Sequence, residues 1–439
     1  MRHIECFVIL LLFLASSFVI AHSSPQLLYS KEDSLVVFSS YEEFHPIYVN
    51  GDKELLEAAS ENEWIGDGSQ ANPIMIEGYS ITGISWLIRV ENVRLYFEVA
   101  ENRLNGYDSD WSSILVRNST NFTIRDNLVH NGTTGIRILN CSNFEIRDNT
   151  VMEEYTALYV TNCSASAIIT RNLIHDCRSV GIAVLDCTGD LEDGFSIYEN
   201  IIENLTAAAI YVRHSRYISI STNHIRFIEQ TGIILSTDDS SWLYGSQCTI
   251  SENNVQECSI GLSIMTSNNL VNNNTIQNCT GECLRLQSAS EPDLSSSDNT
   301  VVWNIFALSQ GYGVVIESGC RNNTFSQNDY ILNTLTPQAS DDGAFNTFRD
   351  NHYSDHTSPD FDNDLVVDTV YDLDGESENF DVRPNLVPHR LESILIMNQF
   401  FSRDNPFQFW DLVRIALSSI LSAIFAIGII AFVARRKNT

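Results

Sequence analysis

The feature that most constrains this chain is a repeat legible by eye. Residues 121–142 read NFTIRDNLVHNGTTGIRILNCS, and residues 143–164 read NFEIRDNTVMEEYTALYVTNCS. The shared template is an apolar residue, an asparagine three places later, and a second apolar residue two places after that. A variable stretch follows, closed by a Gly-Ile pair. The asparagine recurs as Asn102, Asn127, Asn149, Asn172, Asn200, Asn223, Asn253, Asn274, Asn304 and Asn328, at intervals of 21 to 30 residues. Three places ahead of these stand Val99, Ile124, Ile146, Ile169, Ile197, Ile220, Ile250, Val271, Val301 and Phe325. The closing pair appears at Gly135 and Ile136, Gly181 and Ile182, Gly232 and Ile233, and Gly261 and Leu262.

Short β-branched runs with every second residue apolar are strands with one buried side. Three such runs per repeat, at matching positions, describe a coil that buries its inward side chains on like residues of the next. The expected fold is all-β: a right-handed parallel β-helix, a solenoid of about ten coils rising about 4.8 Å each. The recurring Asn suits a bend in left-handed backbone geometry. Its amide can also bond to the Asn above and below. Polar insertions at 189–193, 238–247 and 288–298 belong on loops, which on a rigid scaffold often carry function.

The two ends differ in character. Residues 1–23 join a short basic stretch to the apolar run Cys6 to Ile20 and the small residues Ala21 and Ser23, the layout of a secretory signal peptide. Residues 412–434 are apolar except for Arg414, Ser418, Ser419 and Ser422, long enough to cross the hydrocarbon of a bilayer. Trp410 precedes them, and Arg435, Arg436 and Lys437 follow, where basic residues mark the cytoplasmic side. The expected order is signal peptide 1–23, N-terminal cap 24–72, parallel β-helix 73–335, acidic exit segment 336–386, juxtamembrane segment 387–411, transmembrane helix 412–434 and cytoplasmic tail 435–439. The expected localisation is a single pass through the cell membrane with the large domain extracellular.

Charge bounds the partners. The formal net charge is −31, and between signal and span the only lysines are Lys31 and Lys53. Such a surface repels nucleic acid and other anionic polymers and attracts cations. No nucleic-acid partner is expected.

The asparagine-centred coils resemble the parallel β-helix repeats of carbohydrate-binding and sugar-hydrolase proteins, and more closely those of the NosD-like family. Two further segments are similar to that family: residues 64–78, WIGDGSQANPIMIEG, before the first coil, and the Asp-rich stretch 351–375 after the last. The resemblance implies the fold over residues 64–386. It leaves activity open, because such repeats serve enzymes and non-enzymes alike.

Several groups of residues are candidates for chemistry. Asp360, Asp362, Asp364 and Asp368 have the 1, 3, 5, 9 spacing of a calcium loop, with Leu365 where such loops usually have Gly. Calcium is the candidate cofactor, with an acidic solvated loop capping the rod as the alternative. One position beyond the inward residue, successive coils place His130, Met152, His175 and Glu203, donors that suit copper or zinc. The NosD name is tied to copper insertion, which the resemblance brings to this stripe, but the next two coils place Arg226 and Gln256 there. A solvated polar stripe with one exposed Met is the preferred reading, with copper not expected. Cys141, Cys163 and Cys187 align in consecutive coils, with one candidate bridge among them such as Cys141 to Cys163, and Cys258 aligns with Cys279. Stacked Cα atoms about 4.8 Å apart fall within disulfide range, so both pairs are candidate bridges, with small buried hydrophobes in a ladder as the alternative. Glycosylation sequons occur at Asn118, Asn121, Asn131, Asn140, Asn162, Asn204, Asn273, Asn278 and Asn322. Acidic pairs at Asp108 and Asp110, Asp238 and Asp239, and Asp341 and Asp342 lack a recognisable catalytic spacing.

The leading expectation is a non-catalytic cell-surface protein whose rod binds extended ligands, an extracellular glycan or a surface protein. Trp111, Tyr211, Trp242 and Tyr244 are candidate stacking residues. The alternatives are a polysaccharide lyase or hydrolase of the β-helix class and a NosD-like copper-handling accessory protein.

Overall fold

The computed structural model describes residues 42–401 apart from 165, 190–193, 238–245 and 289–294, and no side chains at 108–110 or 398–401. The chain forms a right-handed parallel β-helix of about eleven turns. One coil shows the pattern. Strands Ser142–Arg147, Thr150–Met152 and Thr156–Thr161 follow one another round the rod, and Ala167–Thr170 then returns beside the first. Like residues stack in register, Ile146 on Ile169, Val151 on Ile174 and Val160 on Val184. The first strands of all coils make a 14-stranded sheet, here the first face. The second and third strands share a 21-stranded sheet, because Arg103–Arg117, Leu128–Leu139, His224–Ser236 and Asn254–Ile264 each run unbroken through the bend between them. Its two arms are the second and third faces.

The apolar columns fill the interior. Val99, Ile124, Ile146, Ile169, Ile197 and their successors to Phe325 are all fully buried, each contributing about 1.5–3 kcal/mol of transfer free energy. Phe97, Phe122 and Phe144 stack at 5.3 Å intervals.

The asparagines form the ladder at the first corner. Each donates its backbone N–H and one amide N–H to the Oδ1 of the next, as Asn149 does to Asn172 at 3.1 and 3.0 Å. The same amide reaches back to Ile124 O at 2.9 Å. The ladder runs from Asn102 through Asn328 to Asn351, a further rung, and ends on the buried carboxylate of Asp381 at 3.0 and 2.7 Å. The left-handed residue is not the asparagine. It is the one before: Glu101, Asp126, Asp148, Arg171, Glu199 and Thr222 have φ between 52° and 56°. That step turns the chain and leaves the asparagine aimed inward, where its amide meets the next coil.

The third corner solves the same problem with other residues. Cys141 N donates to Cys163 Sγ at 3.4 Å, Cys163 N to Cys187 Sγ at 3.4 Å, and Cys187 N to Ser215 Oγ at 3.0 Å. Further along, Asn269, Asn299, Asn323 and Asn346 take over, ending on the buried Asp341.

The described ends depart from the expected boundaries. Ile47–Asn50 pairs with Ile88–Glu91 as a strand of the third face, so the N-terminal cap is woven into the rod, and helix Asp52–Glu61 adds the buried Leu55 and Ala59. At the other end the coils continue past 335 to the strand His352–Tyr353. The stretch after the exit segment includes helix Leu391–Phe401, laid against the outside of the second face over Ile305, Ala307 and Ile331. Asp329 binds the start of this helix through His389 N, Arg390 N and Ser393 Oγ at 2.8, 3.0 and 2.6 Å. No helix among the described residues is long and apolar enough to cross a membrane. The expected signal peptide 1–23, span 412–434 and tail 435–439 lie outside the described residues.

Candidate ligand-binding face and metal loop

The third face carries a continuous outward row. In register across neighbouring coils stand Tyr48, Arg89, Leu115, Arg137, Tyr159, Ala183, Tyr211, Ile234 and Ser263. A parallel row reads Glu91, Arg117, Leu139, Thr161, Leu185, Arg213 and Ser236. Both rows are consequences of the register; Tyr48 and Arg137 are exposed, whereas Glu91, Leu115, Ala183, Leu185, Ser236 and Ser263 are buried.

The rows are aromatic and cationic together. The guanidinium of Arg89 lies 4.8 Å over the ring of Tyr48 and 4.3 Å over Trp86. Trp86 in turn meets Trp111 at 4.2 Å. Arg137, exposed, sits 5.1 Å over Tyr159. At the N-terminal end of the rows the carboxylate of Glu91, 2% exposed, pairs with Arg89 at 2.9 Å and Arg117 at 2.8 Å. Tyr48 Oη donates to it at 3.4 Å. Two of the candidate aromatics, Trp111 and Tyr211, belong to this face; Trp242 and Tyr244 lie outside the described residues.

The first face is different. Its arginines meet carboxylates: Arg125 with Glu98 at 2.6 Å and Asp126 at 2.9 Å, Arg147 with Asp148 at 2.8 Å, and Arg171 with Asp148 at 2.8 Å. The hydrogen bond from Arg171, with that from Arg147, holds the Asp148 carboxyl below the ordinary carboxylate range.

The exit loop gathers carboxylates. Asp360, Asp362 and Asp364 bring oxygens within 4.8 Å of one another. Asn363 and Leu365 both take left-handed backbone, at φ 60° and 70°, so a Leu adopts the turn for which calcium loops use Gly. Asp368 stands apart from the three and accepts Phe361 N–H at 2.5 Å.

The second-face stripe is in register, with His130 beside Met152, Met152 beside His175 and His175 beside Glu203. The donors do not converge. Glu203 is held by Arg226 at 2.6 Å, His175 Nδ1 by Asp176 at 2.7 Å, and His130 Nδ1 lies 2.8 Å from the Asn131 amide. Burial, with the Arg103 charge, pushes His130 below the usual imidazole range. Three of the four side chains, all but Met152, already have a partner within the protein.

The expected disulfides are not formed: Cys141, Cys163, Cys258 and Cys279 are free and buried. In the first pair the thiol of Cys163 accepts the backbone N–H of Cys141, so the sulfur serves the third-corner ladder. All nine sequon asparagines have positive φ, between 50° and 67°. At Asn118, Asn140, Asn273 and Asn322 the cause is the corner itself: a left-handed Asn, an inward residue, then a Ser or Thr that opens the next strand. Of the acidic pairs, Asp341 is fully buried and bound by Gly343 N and Asn379 Nδ2, a structural role. The side chains of the other two pairs lie outside the description.

Comparisons with known proteins agree with the coil geometry. Residues 77–245 match the family described as periplasmic copper-binding protein (NosD), and residues 190–354 match the right handed beta helix region family. No curated protein matches the sequence. Among solved structures, the chain is similar to a DFA-IIIase from Arthrobacter chlorophenolicus, with 14% identity over 57% of this chain and 67% of that one and a TM-score of 0.40. It is also similar to the periplasmic alginate epimerase AlgG, with 13% identity over 70% and 80% and a TM-score of 0.42. A tailspike protein of an E. coli bacteriophage gives 11% identity over 73% and 66%, with a TM-score of 0.46. The repeat, the stacked coils and the two matches, each over less than half of the chain, identify a right-handed parallel β-helix that is similar to the NosD family over its N-terminal coils.

Proposed function

We propose that the protein is a non-catalytic binding rod whose third face holds an extended glycan. The observation that carries this reading is the in-register row of Tyr48, Arg89, Arg137, Tyr159 and Tyr211 along one side of the solenoid. Sugar rings stack on aromatic faces, and guanidinium groups supply planar donors to hydroxyls and carboxylates. Coils about 4.8 Å apart repeat such contacts along a polymer. A hydrolase needs a pair of carboxylates flanking the scissile bond. Among the described residues these two rows offer only Glu91, which is engaged by two arginines. The apolar segment 412–434 fits anchorage of the rod to a membrane with the third face outside. The exposed corner asparagines Asn140, Asn162, Asn204, Asn278 and Asn322 fit glycosylation in a host that performs it. A glycan array scored for binding and for released products tests the reading. Binding without cleavage, lost in Tyr159→Ala, is the expected result, and released oligosaccharide would establish the hydrolase or lyase instead.

A second reading concerns the exit loop, where the convergence of Asp360, Asp362 and Asp364 favours a structural Ca²⁺. An ion there would relieve mutual repulsion among hard oxygen donors. Titration calorimetry should show heat with Ca²⁺ and a raised melting point, both abolished in Asp362→Asn. Silence in both measurements would remove the site. A copper-handling role finds no converging donors in the His130 to Glu203 stripe, and a metal-uptake assay with the full chain separates that alternative.

A further inference from the structure

Helix Leu391–Phe401 has a side that the rod does not use. We infer that this helix is a membrane-surface element, whose line of Leu391 and Leu395 enters the apolar edge of a bilayer; the inference rests on the reading that residues 412–434 anchor the chain there.

The helix is apolar on two opposite sides. Seven of its eleven residues are Leu, Ile, Met or Phe. One line faces the rod: Ser393 bonds the buried Asp329, and Met397 packs on Ile305, Ala307 and Ile331. Leu391 and Leu395 are offset from that line by two residues, which at 3.6 residues per turn is the far side. They are 65% and 53% exposed. A helix apolar all round belongs where both sides are covered, and the described residues cover only the inner one.

The neighbouring sequence points to the occupant. Ten residues, 402–411, separate the helix from the apolar segment 412–434. Fully extended they reach about 35 Å, so an anchored chain keeps the helix within that distance of the bilayer. Phe407, Phe409 and Trp410 in this linker suit the interface. The helix itself is about 16 Å long, half the depth of the hydrocarbon, so it lies along the surface and does not cross. Charge does not oppose the contact: Glu392 carries the one charge of the helix and pairs with Arg390 at 3.6 Å. A second copy of the chain fits less well, because two leucines fall far short of the about 800 Å² that each partner of a stable complex buries. The inner side is meanwhile fixed to the rod. Asp329 accepts three bonds from the start of the helix, and Arg390 donates to Asn273 O and Asn274 O at 3.0 and 3.2 Å. A helix seated in the bilayer surface therefore turns the second face towards the membrane.

The full chain in phosphatidylcholine vesicles provides the test, with a nitroxide on Leu395→Cys or, for comparison, on Leu56→Cys of the exposed N-terminal helix surface. The cysteines of the described rod are buried, and the parent chain supplies the labelling background. Oxygen, which concentrates in lipid, should relax the Leu395→Cys label severalfold more than a water-soluble nickel chelate does, and the Leu56→Cys label should show the reverse. Adding Leu391→Gln should move the first label towards the water value and leave the melting point unchanged, because the side chain is exposed. A Leu395→Cys label as open to nickel as the Leu56→Cys label, in chains that the vesicles retain, would overturn the inference and leave the anchor intact. Spin–spin broadening between copies would assign the face to a second chain and overturn it equally. A chain that washes off the vesicles would remove the anchorage reading, and the inference with it.

Discussion

The first and third corners of the coil ask for the same thing and receive different answers. Each needs one residue in left-handed backbone, followed by an inward side chain that accepts the N–H of the previous coil and satisfies its own polar atoms. The first corner uses Asn at every rung from Asn102 to Asn351. Its amide accepts and donates at once, as buried polar groups must. The third corner uses Ser119, then Cys141, Cys163 and Cys187, then Ser215, and only later Asn269 to Asn346. A thiol accepts the N–H at 3.4 Å and keeps a small apolar volume. The contrast teaches that the geometry is shared and the chemistry is negotiable only where fewer hydrogen bonds converge.

That contrast can be broken by substitution. The largest effect belongs to Asn172→Leu. It removes amide bonds to Ile146 O, Thr170 O and Asn200 Oδ1, and strips Asn149 of its acceptor. A cost on the order of 4 kcal/mol in denaturant unfolding is expected, since buried donors are left bare. A cost below about 1 kcal/mol would show the ladder to be dispensable.

Next comes the middle corner, where Glu154 is fully buried with neither carboxylate oxygen hydrogen-bonded. Burial pushes it up to about 8 from the usual 4.5. The fold accepts the neutral acid, so stability is full below about pH 4.5 and falls as pH rises through 8. By pH 9 nearly the whole loss should be expressed, and it should vanish in Glu154→Gln. Parallel pH profiles for parent and variant would discard this account.

Cys163→Ala should cost about 1–2 kcal/mol, through one weak acceptor and a small cavity. Cys163→Ser should cost less, because the hydroxyl accepts as Ser215 does. The smallest effect is Asn140→Gly, within about 0.5 kcal/mol, because Gly takes φ 53° freely. A larger loss would give weight to the exposed amide bond from Asn140 to Asn118 at 3.0 Å.

The same contrast explains what the sequence reveals. The first ladder is readable because one residue type recurs beside apolar partners at fixed offsets. The third is not, since Ser, Cys and Asn share no letter, and its thiols look like disulfide candidates until the hydrogen bonds are seen. Asn351 is hidden by the Asp-rich motif that begins there. The left-handed position is displaced by one because backbone and side chain divide the task between neighbours. The two rows of the third face are the least legible element. They need the register of coils whose lengths differ, so that Arg117 and Arg213 become members of one row. The docking of helix Leu391–Phe401 leaves a trace in retrospect: Ile305, Ala307 and Ile331 are apolar at outward positions, where earlier coils carry mostly polar residues.

The first-corner ladder has a sense of direction and no sense of length. Every amide consults its immediate neighbours and nothing else, and only the final rung requires a special terminator, Asp381. Whole coils can therefore be added or excised as interchangeable modules while both ends stay the same. The length of such a rod is set in single-coil increments, a ruler whose divisions are the hydrogen-bonded amides themselves.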